Sequence, residues 1–326
     1  MLSLSLILAV AAGLLIGAVS ISPADVWRVV LDKLGITDGA GTRAESVLWA
    51  IRLPRVLAGI LVGAVLGVTG AALQGVYRNP LADPYLLGIS SAAGLGAIVG
   101  IALTPAGGYP VMIMAAGAAV GAGYALLTRR ISAATIDPAR FVLVGVALGL
   151  ALLAWTGIII FRWDSPRLPT FTYWIFGSFS GVTWRTLGAA TPFVLAALGT
   201  LTYFARSLDV LTLGDREARH LGISVERIVA LILAAVGVAV GAAVGLAGVI
   251  GFVGLLVPFV LRRLLGPGHG RLLVASAIGG AAVMVATDVV ARTLASPAEI
   301  PVGIVTAAIG GPFLVWLLLR YRKAPT

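Results

Sequence analysis

The sequence predicts an all-α integral membrane protein of about ten membrane-crossing elements. Hydrophobic residues fill 60% of its 326 positions and charged residues only 11%, against roughly a quarter charged in an ordinary globular chain. The charges also fall between long uncharged stretches rather than along them. A helical crossing takes about 20 apolar residues, and a helix satisfies its own backbone polar groups where no water is present. Little remains for a soluble domain, so residues 1–326 read as a single transmembrane domain.

The elements follow in order. Residues 1–24 resemble a signal peptide in length and in ending on small residues, but they lack a basic leading segment and read as a retained first helix. Stretch 56–77 is the second span, entered through Arg52-Leu53-Pro54-Arg55, where proline suits a first helical turn. Stretch 84–128 is long enough for two spans, with Thr104-Pro105-Ala106-Gly107-Gly108-Tyr109-Pro110 as the turn between them. After 141–161, the connection to 185 carries Pro166, Pro169, Trp163, Trp174 and Trp184 and reads as a short surface helix with interfacial aromatic anchors. Span 186–205 precedes a polar connection, 206–227. Stretch 228–261 holds one full helix and a shorter element, because Gly248 to Gly254 is glycine-rich and Pro258 follows. Stretch 272–291 is broken only by Asp288, and 300–319 closes the series.

Arginine and lysine set the orientation. With the first helix starting in the cytosol, the inner connections collect 14 of these residues and the outer ones 9, which favours both termini inside. Arg52 and Arg55 then place fixed positive charges at the outer surface. The formal net charge of +10 sits at span ends, so it reads as membrane topology and lipid contact, with no nucleic-acid surface. Gly59, Gly63, Gly67, Ala71 and Gly75 put a small residue at every fourth position of the second span, and Gly237, Gly241 and Gly245 repeat the pattern; backbones can approach closely there.

Several chemistries are excluded. There is no cysteine, hence no disulfide and no Cys-ligated metal. His220 and His269 both lie in polar connections, and Lys33 and Lys323 belong to no G-x-x-x-x-G-K-[ST] loop. Asp288 is the single ionisable residue within a span and reads as the partner of Arg292 at i, i+4. An ion-coupled secondary carrier normally needs several buried ionisable groups, and an intramembrane enzyme lacks paired catalytic residues here. A carrier with neither ion relay nor nucleotide site draws its energy from a partner.

A set of ordered strings completes the reading. Arg52-Leu53-Pro54-Arg55, Gln74, Arg78-Asn79-Pro80-Leu81-Ala82-Asp83-Pro84, Trp174 with Gly177-Ser178, Gly214-Asp215 with Ala218 and Leu221-Gly222, G-F-V-G-L-L-V-P at 251–258 and E-I-P-V-G-I-V-T at 299–306 span nearly the whole chain. Together they resemble the FecCD or BtuC-type permeases of bacterial ABC importers for iron–siderophore, vitamin B12 and haem. The resemblance implies a type II ABC importer permease fold in the inner membrane and a homodimer with the substrate path along its interface. It also implies two ABC ATPase subunits carrying ATP and Mg, a periplasmic or lipid-anchored binding protein, and no cofactor in this chain. It assigns Arg52, Arg55 and Arg292 to docking of the binding protein and Asn79 and Leu81 to a cytoplasmic gate. Within 206–227 it assigns Gly214, Asp215, Ala218, Leu221 and Gly222 to ATPase coupling, with Asp215 capping a short helix and Ala218, Leu221 and Ile223 forming its contact face. Ferric siderophore is the first expectation for the cargo, corrinoid and haem the next.

Overall fold

Helix is the only regular secondary structure among the described residues of the computed structural model, which are 1–17, 19, 21–33, 35–36, 43–103, 109–133, 138–162, 175–296 and 298–321. The turn at 104–110 lies mostly outside them, as do Trp163 and Trp174 with the expected surface helix. In chain order the helices are α1 (Leu2–Leu15), α2 (Pro23–Lys33), α3 (Arg43–Val47), α4 (Leu53–Val76), α5 (Ile89–Ala102), α6 (Pro110–Ala133), α7 (Pro138–Phe161), α8 (Trp184–Tyr203), α9 (Ala205–Thr212), α10 (Asp215–His220), α11 (Val225–Ala247), α12 (Val253–Leu265), α13 (His269–Thr293) and α14 (Val302–Tyr321).

Among the described residues, six helical stretches are long and apolar enough to cross a membrane: Arg43–Val76, Pro110–Arg130, Leu143–Phe161, Trp184–Tyr203, Val225–Ala247 and His269–Thr293. Leu2–Leu15, Ile89–Ala102 and Val302–Leu317 are shorter apolar helices. Of the about ten crossings expected from the sequence, six are matched by length and apolarity among the described residues.

The second of the predicted spans begins earlier than Arg52-Leu53-Pro54-Arg55 suggested. Helix runs from Arg43 through a π turn at Leu48–Arg52 directly into α4. Pro54 sits just past that turn; proline lacks an N–H and crowds the preceding turn, and a wide turn accommodates it inside a continuous helix.

Small residues decide which helices are central. α4 packs along α13 and also touches α8, α11 and α12; α11 packs along α6 and touches α5 and α8. At Gly63 an added Cβ would fall on the Gly280 carbonyl and 2.7 Å from the Ala281 Cα, and at Gly241 it would overlap the backbone at Gly117 and Ala118. The glycine pattern is thus realised as backbone-to-backbone contact. α7 leaves Leu143, Leu150, Trp155 and Phe161 exposed and lies at the periphery.

Candidate functional site

Charged and polar side chains gather at the two ends of α4, about 36 Å apart for a helix of 24 residues. At its first turn, Arg55 meets the last turns of α13. Arg55 Nε donates to both carboxylate oxygens of Asp288 at 3.0 Å, its Nη2 donates to Asp288 Oδ1 at 2.9 Å, and its Nη1 donates to Glu299 at 2.9 and 3.0 Å. A planar guanidinium spanning two carboxylates is the geometry arginine holds better than lysine. Arg292 donates to the Gly13 carbonyl at 2.5 Å and stands 3.9 Å from Asp288. Arg52 donates to the carbonyls of Leu14 at 2.5 Å and Leu15 at 2.9 Å, and to that of Val19. The last carbonyls of α1 have no partner within the helix, so a cation there satisfies them and complements the helix dipole.

All three arginines and Asp288 are buried. The sequence expectation of outward-pointing charges at Arg52 and Arg55 is corrected: both side chains turn inward and fasten α1, α4 and α13 together. Asp288 also takes Arg55 as its main partner, with the expected Arg292 more distant. Sequence reasoning missed Glu299, although three arginines facing one aspartate in an apolar setting call for a second carboxylate.

At the opposite end, α4 closes in a Schellman arrangement. The N–H of Arg78 donates to the Gly75 carbonyl, the N–H of Asn79 donates to that of Gln74, and Arg78 adopts a left-handed backbone with φ 48°. Asn79 is buried, and its Oδ1 accepts the Leu81 N–H at 2.9 Å, the side-chain turn that fixes this loop. Leu81 is half-buried. Asp83, also buried, accepts the N–H groups of Tyr85 at 2.8 Å and Leu86 at 3.2 Å. Gly254, in the first turn of α12, faces this carboxylate: a Cβ there would lie 2.7 Å from Asp83 Oδ2 and 2.8 Å from the Leu66 carbonyl. The expected rigid loop is therefore pinned between α4 and α12.

The polar connection 206–227 folds as α9 and α10. Gly214 is the N-cap residue of α10 and Asp215 its first helical residue, so Asp215 does not cap the helix as the sequence suggested. Its carboxylate pairs instead with Arg78 at 3.2 Å. Gly222, with φ 80°, ends α10: its N–H donates to the Arg219 carbonyl and the Ile223 N–H donates to that of Ala218. Ala218 is buried and Ile223 packs against the main core. The contact face expected from Ala218, Leu221 and Ile223 is corrected, since only Leu221, 62% exposed, points outward, joined by Leu213 at 64%. Asp209 Oδ1 accepts the backbone N–H of His269 at 2.7 Å and lies 2.7 Å from its Nδ1.

Between these ends, a cavity of about 240 Å³ is lined by Tyr85, Ser91, Leu150, Thr156 and Phe176 among others. A neighbouring cavity shares Tyr85 and Phe176 and adds Phe252, whose ring centroid lies 5.6 Å from that of Tyr85. Neither lining contains histidine, methionine or a charged side chain. Among the described residues, no group of three or more His, Asp or Glu is placed to hold a metal ion.

Comparison with known proteins adds to this geometry. The model of the FecCD transport family matches residues 5–320. The hemin transport system permease protein HmuU of Yersinia pestis is 37% identical over 319 residues, covering 94% of this chain and 90% of that protein. The vitamin B12 import system permease protein BtuC of Yersinia pseudotuberculosis is 40% identical over 282 residues, covering 84% and 82%. Among solved structures, a metal-chelate type ABC transporter in an inward-facing conformation aligns with a TM-score of 0.81 and 29% identity, over 98% of this chain and 97% of that one.

Proposed function

The chain belongs to the FecCD transport family, and from that membership we propose that it is the membrane-spanning permease subunit of an ATP-driven inner-membrane importer whose cargo is a ferric siderophore. It works as a homodimer with two separate ABC ATPase subunits and a periplasmic or lipid-anchored binding protein, and it is not itself the hydrolase. Both termini face the cytosol. The end bearing Arg78 and α10 is then the inner one, and the end bearing Arg55 is the outer one, where the binding protein docks. Because Arg52, Arg55 and Arg292 are buried, we assign them to shaping that outer surface, with the half-exposed Glu299 the accessible charge of the cluster.

One observation carries the reading: α10 is a short helix held by Ala218 inside and flanked by the exposed Leu213 and Leu221, on the longest of the connections assigned to the cytosolic side. Two large apolar side chains at the two ends of a polar helix suit insertion into a groove of another protein. Asn79 and Leu81 sit beside it and form the inner gate. The cavities at Tyr85, Phe176 and Phe252 lie along the substrate path and face the second copy. Their lack of histidine, methionine and charged side chains suits a cargo whose metal is already coordinated by its chelator.

Haem or a corrinoid is the second reading, favoured by the likeness to the hemin and vitamin B12 permeases. Replacing Leu221 by Asp tests the assignment of α10, since a carboxylate on a buried contact face is costly without a partner. The variant is expected to fold and to lose co-purification with the ATPase or ATP-driven uptake. Normal uptake with the ATPase attached would remove α10 from coupling. Absorbance and mass spectra of the ligand that co-purifies with the cognate binding protein separate ferric siderophore from haem and corrinoid.

A further inference from the structure

Two helix endings in this chain have the same form and different occupants. At the end of α10, the left-handed position belongs to Gly222 with φ 80°, and at the end of α4 it belongs to Arg78 with φ 48°. A Cβ in this region crowds the following carbonyl, which is why glycine is the usual occupant. An arginine there needs a compensating contact, and the structure supplies one in the 3.2 Å ion pair from its guanidinium to Asp215. A Cβ on Gly214 would stand 3.7 Å from the same guanidinium, so the start of α10 lies directly against Arg78. The two side chains are 46% and 50% exposed, and a pair so open to water adds little to stability. Its value lies in what it joins, since Asn79 follows Arg78 in the chain and Asp215 begins α10.

A second tie runs alongside. Asp209 holds His269 through the backbone N–H and Nδ1, both at 2.7 Å. The buried His269 ring packs on α4 so closely that a Cβ on Gly75 would lie 2.5 Å from its Nε2. The stretch 209–215 is thus fastened at one end to His269, which packs on Gly75 in the last turn of α4, and at the other to Arg78, just past the end of α4. We infer that Arg78 is a positioning residue for transport: its ion pair with Asp215 passes displacement of α10 to the loop bearing Asn79 and Leu81, while His269 and Asp209 hold the base of the segment as a pivot. This rests on the reading of α10 as the ATPase contact and of that loop as the inner gate.

The test uses the absence of native cysteine. In the full transporter, assembled with its ATPase and binding protein in lipid nanodiscs, Leu81→Cys supplies the only thiol on this chain. Its labelling rate by a charged maleimide is read on this chain's gel band, with and without MgAMP-PNP. The parent is expected to change rate when nucleotide binds. Arg78→Gly should reduce that change by up to about fivefold, the ceiling for an exposed pair, while keeping or raising thermal stability because the backbone is relieved. Asp215→Arg should reduce it too, and Arg78→Asp combined with Asp215→Arg should restore it. A full nucleotide response in Arg78→Gly, no recovery in the exchanged pair, or no response in the parent would overturn the inference. Leu221→Asp in the same background separates the two levels. If it sheds the ATPase while Arg78→Gly responds fully, only the Arg78 link fails; if it keeps the ATPase and responds normally, the docking reading fails and the link with it.

Discussion

Replacing Gly63 by alanine adds one methyl group at a backbone-to-backbone contact between α4 and α13. That methyl would lie 2.6 Å from the Gly280 carbonyl carbon and 2.7 Å from the Ala281 Cα, where uncrowded carbon atoms sit about 3.5–4.0 Å apart. Both neighbours are backbone, so the helices must separate by roughly 1 Å at that level to restore ordinary contact. Overpacking of this kind costs about 1–3 kcal/mol, and the gap propagates to the neighbouring contacts at Gly59 and Gly67. Alanine's better helix propensity returns up to about 1 kcal/mol, which leaves a net loss of up to about 2 kcal/mol when that return is complete. Gly59→Ala is the graded comparison, because its methyl would meet the Val285 Cγ2 at 3.1 Å and a side-chain end can give way. Gly123→Ala is the control, with open space around its position. Detergent-solubilised protein is heated, and the surviving monodisperse fraction is measured by fluorescence-detected gel filtration. The midpoint should fall for Gly63→Ala, fall less for Gly59→Ala and hold for Gly123→Ala. Equal midpoints for Gly63→Ala and Gly123→Ala would refute the reasoning, since they would mean that α4 and α13 are not in backbone contact.

Removing one partner of the buried pair at the other level of α4 should cost more than removing both. Arg55→Gln leaves the buried Asp288 with only the more distant Arg292, at 3.9 Å, a loss of at most about 3–5 kcal/mol, and adding Asp288→Asn should recover part of it in the same heating assay; an additive loss would show that the two groups do not interact. The purified chain without its ATPase should hydrolyse no ATP, because neither of its lysines lies in a phosphate-binding loop; hydrolysis by that preparation in a phosphate-release assay would contradict the assignment. Both measurements are independent of which chelate is carried.

The helical elements were legible because their causes are local. Apolar stretches of about 20 residues fix where helices form, and the spacing of Gly59, Gly63 and Gly67 already showed a face on which backbones could meet. The identity of the facing helix was not legible: nothing near Gly63 names Gly280, and the partner is set by how the whole bundle closes. Pro54 shows the same limit at short range, since a proline after Leu53 suits both a first turn and the wide turn that carries helix back to Arg43.

Ion pairing was determined only by the tertiary structure. Asp288 and Arg292, four apart on one helix, looked like partners, yet Arg55 from α4 reaches Asp288 in closer geometry and brings in Glu299 across 244 positions of chain. The inward turn of Arg52 likewise depends on the unpaired carbonyls of α1, which the sequence around residue 52 does not contain. At the Arg78 end of α4, composition marked 206–227 as polar, but the burial of Ala218, the exposure of Leu213 and Leu221 and the pairing of Asp215 with Arg78 follow from which side of α10 meets the bundle. Hydrophobic periodicity and glycine spacing are properties of neighbouring residues, and one chain displays them; a contact between distant charges depends on the relative placement of helices, and only the packed structure fixes it.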